Sequence, residues 1–214
     1  MARTVSATGV PGLSVDYTLA PEARGSTIVE QCYAGLLWLC DHAKELNIDP
    51  ARIGVIGESA GGGIAAGLAL YARDQKFSPP LAKQILIYPM LDDRSNSVPD
   101  EELQPFAGLW NTVDNTTGWT ALLGGDYGTD KVSIYASPGR APDLSGLPPA
   151  YVDVAELDVL RDENLEYGKR LAAARVGVEL HLRPGLPHGF EFFIAGTDQM
   201  TRITEDRFRA VKSF

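Results

Sequence analysis

Apolar and polar positions along the chain switch repeatedly between a two-residue and a 3.6-residue period, which predicts strands and helices in alternation. Leu13-Ser14-Val15-Asp16-Tyr17-Thr18-Leu19 reads as a short strand, bounded by Gly12 and Pro21. Val29, Tyr33, Leu36, Leu37 and Cys40 then recur on one helical face, so a helix is expected over residues 27–46. Thr27 and Glu30 have capping-box spacing at its start. After a turn at 47–50, residues 52–56 read as a short buried strand, and a glycine-rich turn leads into a helix over 60–75. Apolar runs at 85–88 and 150–154 predict two more strands, the second followed by a helix over 162–174. Val178, Leu180 and Leu182 alternate with Glu179 and His181, a fifth strand with His181 on its outward side. A last helix is expected over 198–212.

This order predicts an α/β protein with a mostly parallel, twisted sheet and helices on both faces. Residues 92–147 break the pattern. They carry Phe106, Trp110 and Trp119 between turn-rich patches with no strong strand, so a lid-like or cap-like excursion that shapes a binding pocket is expected there. No repeat or linker divides the 214 residues, which read as one domain.

Composition narrows the function. The net charge of −9 with no basic cluster argues against nucleic acid as a partner. No apolar run approaches the ~20 residues of a membrane span. Residues 1–11 hold no apolar core of a signal peptide. Cys32 and Cys40 would lie roughly 12 Å apart along one helix, too far to bridge. A reducing, cytoplasmic setting is therefore expected.

Gly57-Glu58-Ser59-Ala60-Gly61, followed by Gly62 and Gly63, sits between a predicted strand and a predicted helix. A serine on such a turn is forced into a strained backbone and projects above the sheet as a nucleophile. The helix behind it directs amide donors and partial positive charge to where an oxyanion would form. A phosphate loop is disfavoured because no Lys-Ser/Thr pair follows the glycines. Of the three histidines, His42 lies among charged residues of a helix and His181 lies within a strand. His188 falls in a loop just past a strand's C-terminal end, the edge where catalytic groups gather, and is the expected base. The acid should come from another strand end. Asp153 lies within the strand, and Asp162 and Glu163 suit the next helix's N-terminus. That leaves Asp158, with Glu156 as its rival.

These motifs together resemble the hormone-sensitive lipase-like (family IV) carboxylesterases of the α/β-hydrolase fold. The resemblance runs from Val15 onward. It rests on Asp16-Tyr17-Thr18-Leu19-Ala20-Pro21-Glu22, Asp49-Pro50-Ala51-Arg52-Ile53 and Gly57-Glu58-Ser59-Ala60-Gly61-Gly62. Tyr88-Pro89-Met90-Leu91-Asp92, Asp158-Val159-Leu160-Arg161-Asp162 and His188-Gly189-Phe190 complete it. It implies Ser59 as nucleophile, Asp158 as acid and His188 as base, hydrolysing short to medium acyl esters without a cofactor or metal. Asn115-Thr116-Thr117 matches a glycosylation sequon and is read as chance.

The chain departs from the family at its start. The family carries a His-Gly-Gly-Gly oxyanion loop before the Asp16–Glu22 motif, and no His-Gly-Gly precedes Ser59 here. The backbone N–H of Ala60 is what remains of an oxyanion hole, so impaired activity is expected. The family also has a strand between the counterparts of residues 15–19 and 53–56. These segments should therefore either pair directly or leave an exposed edge, with self-association or a homodimer as a consequence. Such a chain would be a fragment of a longer esterase or a natural short form. The alternative function is that of a non-catalytic ligand-binding relative.

Overall fold

Parallel strands β1 (Gly54–Glu58), β2 (Lys83–Ile87), β3 (Ala150–Ala155) and β4 (Val178–Arg183) pair in chain order to form the sheet. The computed structural model describes residues 2–95 and 108–214; Phe106 lies outside the described residues. The helices are α1 (Ala2–Thr8), α2 (Thr27–Asp41), α3 (Ala43–Leu46), α4 (Ala60–Asp74), α5 (Thr112–Leu123), α6 (Arg161–Ala173) and α7 (Asp198–Lys212). Every residue of β3 is buried, as expected of a parallel strand covered on both faces. On one face Leu86 and Val152 pack with Leu36 of α2, Leu68 of α4 and Leu171 of α6. On the other, Ile85 and Tyr151 meet Ala210 and Val211 of α7.

The segment 13–19 is not a strand. It lies against α2, with Val15 over Gly35, and the Thr18 N–H donates to Gln31 Oε1 at 2.8 Å. A side chain thus takes the place of a ladder partner. Among the described residues β1 pairs only with β2 and its outer edge is open. The helix expected over 27–46 breaks at His42, whose ring turns back to Trp38.

In β4 both sides are partly covered instead of one inward and one outward: Val178 packs on the core and Leu180 lies against Gly168 of α6. Leu180 and Leu182 are 37% and 44% exposed, while His181 bonds Glu179 and lies by Tyr151. The cause is α7, whose Arg209 and Asp206 pair with Glu179 and Arg183 and draw the polar side beneath the helix.

Residues 108–147 contribute more core than the excursion predicted. Trp119 of α5 is buried with Met90, Val132 and Leu160. Asn111 caps α5 in a reciprocal capping box with Asp114. Asn115 is fully buried, accepting from Trp110 Nε1 and donating to the Ser95 carbonyl, so it is closed to glycosylation. The buried Asp93–Arg140 ion pair ties the segment to the residues following β2.

Candidate active site

Ser59 stands between β1 and α4 with φ +54° and ψ −121°, a conformation that side chains other than glycine rarely adopt. The turn is tight enough that a Cβ on Gly57 would lie 2.0 Å from the Gly61 carbonyl oxygen. At Gly63 it would lie 2.0 Å from the Met90 oxygen. Gly61 is not under the same constraint: a Cβ there would meet nothing within 4 Å. The steric demand falls on Gly57, because its own side of the turn faces the helix backbone. The Ser59 N–H donates to the Ile87 carbonyl, and the Ser59 carbonyl accepts from Met90 and Gly63. The serine is therefore anchored through its backbone to the C-terminal end of β2. Ala60 is the first residue of α4, so its N–H has no partner within the helix.

His188 reaches this point from the loop after β4. Its Nε2 is 2.9 Å from Ser59 Oγ, and its Nδ1 is 2.7 Å from Asp158 Oδ2. A carboxylate only accepts, so the Nδ1 proton is donated to Asp158 and Nε2 is free to accept from the serine hydroxyl. Asp158 is fully buried, and its Oδ1 accepts from the Leu160 N–H at 2.9 Å. The loop is braced by a backbone bridge between His188 and Gly108.

The other carboxylates of this stretch are occupied elsewhere. Asp153 is buried and bound by Arg207, Glu156 accepts from the Gly185 N–H, and Asp162 pairs with Arg161. Glu163 is buried and accepts from the N–H groups of Leu91 and Asp92. Burial pushes its carboxyl well above the usual carboxylate range. Next to it, Asn164 donates to the Pro89 carbonyl. The start of α6 thus clamps the segment that backs Ser59.

Sequence reasoning assigned no individual role to Tyr88, which lies edge-on to His188 with ring centres 4.6 Å apart. Its place just past a strand end, inside a motif, was the available signal. Burial, then the neighbouring carboxylate of Glu191, push its hydroxyl pKa up. Trp110 lies 6.3 Å from the imidazole. Leu109, Phe192 and Phe193 are exposed. Among the described residues no group of three or more His, Cys, Asp or Glu side chains could hold a metal ion. None of the described helices is long and apolar enough to cross a membrane.

An acid–imidazole–hydroxyl chain above the C-terminal edge of a parallel sheet defines a class, and the chain belongs to it. Residues 1–192 match the family described as alpha/beta hydrolase fold, and the chain is a member of that family, in its hormone-sensitive lipase-like branch. It is 38% identical over 194 residues to the esterase LipI of Mycobacterium tuberculosis, covering 90% of this chain and 59% of that protein. It is 40% identical over 185 residues to the carboxylesterase NlhH of the same organism, covering 85% and 56%. Among solved structures, a bacterial heroin esterase matches at 44% identity and a TM-score of 0.83, over 92% of this chain and 62% of that one. The chain thus spans somewhat more than half the length of the curated relatives it matches.

Proposed function

We propose that this protein hydrolyses carboxylic esters of short to medium acyl chains through an acyl-enzyme, with Ser59 as nucleophile, His188 as base and Asp158 as orienting acid. Ser59 Oγ forms a bond to the ester carbonyl carbon while its proton passes to His188 Nε2. The resulting imidazolium is stabilised by Asp158. The bond from carbon to the alcohol oxygen then breaks, and His188 gives its proton to that oxygen. Water repeats the sequence: it loses a proton to His188 as it adds to the acyl carbon, the bond from that carbon to Ser59 Oγ breaks, and His188 returns the proton to Oγ, releasing the acid. The N–H of Ala60 donates to the oxyanion formed in both steps.

The observation that carries this reading is the pair of contacts at His188, 2.9 Å to Ser59 and 2.7 Å to Asp158. The relatives' names, esterase and carboxylesterase, support the same class of reaction. The substrate is a small-molecule ester, and residues 108–147 contribute a wall of its pocket. Covalent labelling with a fluorophosphonate tests the assignment. Labelling is expected in the 214-residue chain and lost in Ser59→Ala; labelling that survives the substitution would put the nucleophile elsewhere.

A further inference from the structure

Bonds to Asp158 and Ser59 hold two atoms of the His188 ring, which leaves the ring to swing about the line joining them. Tyr88 blocks that swing, standing at 61° to the imidazole. Its own backbone is unusual, with φ at +35°. Five non-glycine residues among those described have positive φ. Asn47, Lys76 and Arg175 close helix C-termini, where the left-handed region is ordinary. The other two are Ser59 and Tyr88, and both touch His188. Strain of this kind persists only where the surroundings over-determine it.

The surroundings of Tyr88 are ionic. Its N–H donates to the Asp153 carbonyl at 2.6 Å, and its hydroxyl donates to Glu191 Oε2 at 3.1 Å. Arg207 of α7 reaches from behind. Its Nε and Nη2 bind the two Asp153 oxygens at 2.9 and 3.1 Å, and its Nη1 donates to Glu191 Oε1 at 2.5 Å. The guanidinium also lies over the rings of Tyr88 and Phe190. Both Arg207 and Asp153 are buried. Apolar residues could hold α7 to the sheet without the cost of desolvating charges. A fork bound at both ends adds direction, which apolar packing lacks.

We propose that Glu191, oriented by Arg207, is a positioning residue for His188: through the Tyr88 hydroxyl it fixes the ring that keeps the imidazole in line with Ser59. This rests on the reading of His188 as the base. Glu191 acts through Tyr88, and Tyr88 acts through the histidine ring it packs against.

Tyr88→Phe, Glu191→Gln and the double variant test this in the full chain. All three keep side-chain volume close to the original and leave the Arg207–Asp153 pair intact. The readouts are the rate of Ser59 labelling by a fluorophosphonate, the ¹⁵N shifts of the His188 ring, and Tm. The ring signals are assignable because the chain has three histidines. Each single variant is expected to slow labelling about tenfold, since small misplacements of a reacting group are costly. The double should be no slower than the slower single. The ¹⁵N shifts should move from a pure Nδ1–H form toward a mixture, with Tm falling by no more than about 5 °C. Unchanged labelling and ring shifts with a lowered Tm would make the network merely structural and overturn the proposal. Losses that multiply in the double variant would overturn the relay from Glu191 through Tyr88. If the unsubstituted chain is not labelled at all, the ester-hydrolase reading fails. The ring shifts then still decide whether Tyr88 and Glu191 hold His188.

Discussion

Asp158 divides its two oxygens between His188 and Leu160: Oδ2 accepts from the imidazole Nδ1 at 2.7 Å and Oδ1 from the Leu160 N–H at 2.9 Å. The backbone bond sets the carboxylate's orientation, so the imidazole meets a fixed acceptor. Replacing the acid by its amide leaves the shape but presents an N–H or a weaker acceptor to Nδ1, which favours the wrong tautomer. Asp158→Asn is expected to lower kcat on a short acyl ester by about 10⁴-fold. Asp162→Asn removes an exposed pair with Arg161 and should cost no more than a factor of about five. The reverse order in a kinetic comparison would move the acid to Asp162.

Much of this site was legible because its parts obey local rules. A glycine-serine-glycine turn between a strand and a helix has few other uses, and elimination among three histidines left His188. Asp158 emerged from where its neighbours had to be, and the structure occupies Asp153, Glu156, Asp162 and Glu163 with other partners. What escaped depends on non-local partners. Residues 13–19 have a strand's period, but a strand needs a neighbour, and Gln31 of α2 supplied the hydrogen bonds instead. Alternation in β4 marks its two faces but not that α7 covers the polar one as α6 and the core cover the apolar one. Arg209 and Asp206, about thirty residues downstream, hold α7 over that polar side. Arg207 has the same character: nothing in its surrounding sequence marks it as reaching β3.

Trp110 and Trp119 both lie in the excursion, and the fold gives them different surroundings. Trp119 is 1% exposed within an apolar cluster, so Trp119→Ala should destabilise the protein by about 3–5 kcal/mol. Trp110 is half-buried beside His188, with its Nε1 held by Asn115. Trp110→Ala should shift the preferred acyl chain length with a smaller loss of Tm. Hydrolysis rates over esters of increasing chain length, measured with melting curves, check both. An unchanged preference with a large loss of Tm would assign Trp110 to the core.

The Asp93–Arg140 pair gives the excursion a pH dependence. Burial works against the ionised Asp93. Hydrogen bonds from Arg140, the Gly128 N–H and Ser137, with the charge of Arg140, outweigh it and hold the carboxyl below its ordinary 3.8. A group whose folded pKa is depressed contributes stability above its unfolded pKa and loses it as pH falls through the folded value. The contribution is therefore complete at neutral pH and declines below about pH 4. Asp93→Asn should be less stable at pH 7 by about 3–5 kcal/mol, because Arg140 is left buried without its counter-charge. The deficit should shrink below pH 4. Urea midpoints from pH 7 down to pH 3 test this, and a deficit that grows toward acid would contradict the sign.

The 214-residue chain should be a slow esterase even with Ser59, His188 and Asp158 aligned. Acyl transfer develops negative charge on the carbonyl oxygen, and preorganised donors must already point at it. Ala60 offers one N–H at the start of α4, where the helix also contributes partial positive charge. The 214 residues contain no His-Gly-Gly-Gly segment to offer more. Losing one such donor costs about 10²–10³ in kcat. Labelling by a fluorophosphonate tolerates a weak oxyanion hole better than turnover does, because the reagent is intrinsically reactive. Labelling should therefore persist where turnover is poor. Among the described residues β1 has a strand neighbour on one side only, which adds a second expectation, self-association along its outer edge. Both are checked by comparing the chain with a version extended at its N-terminus through a strand and a His-Gly-Gly-Gly loop. The extended form should gain at least about 10²-fold in kcat on a short acyl ester. It should also elute as a smaller assembly than the 214-residue chain. Equal kcat in the two forms would mean that a group other than the glycine loop completes the oxyanion hole.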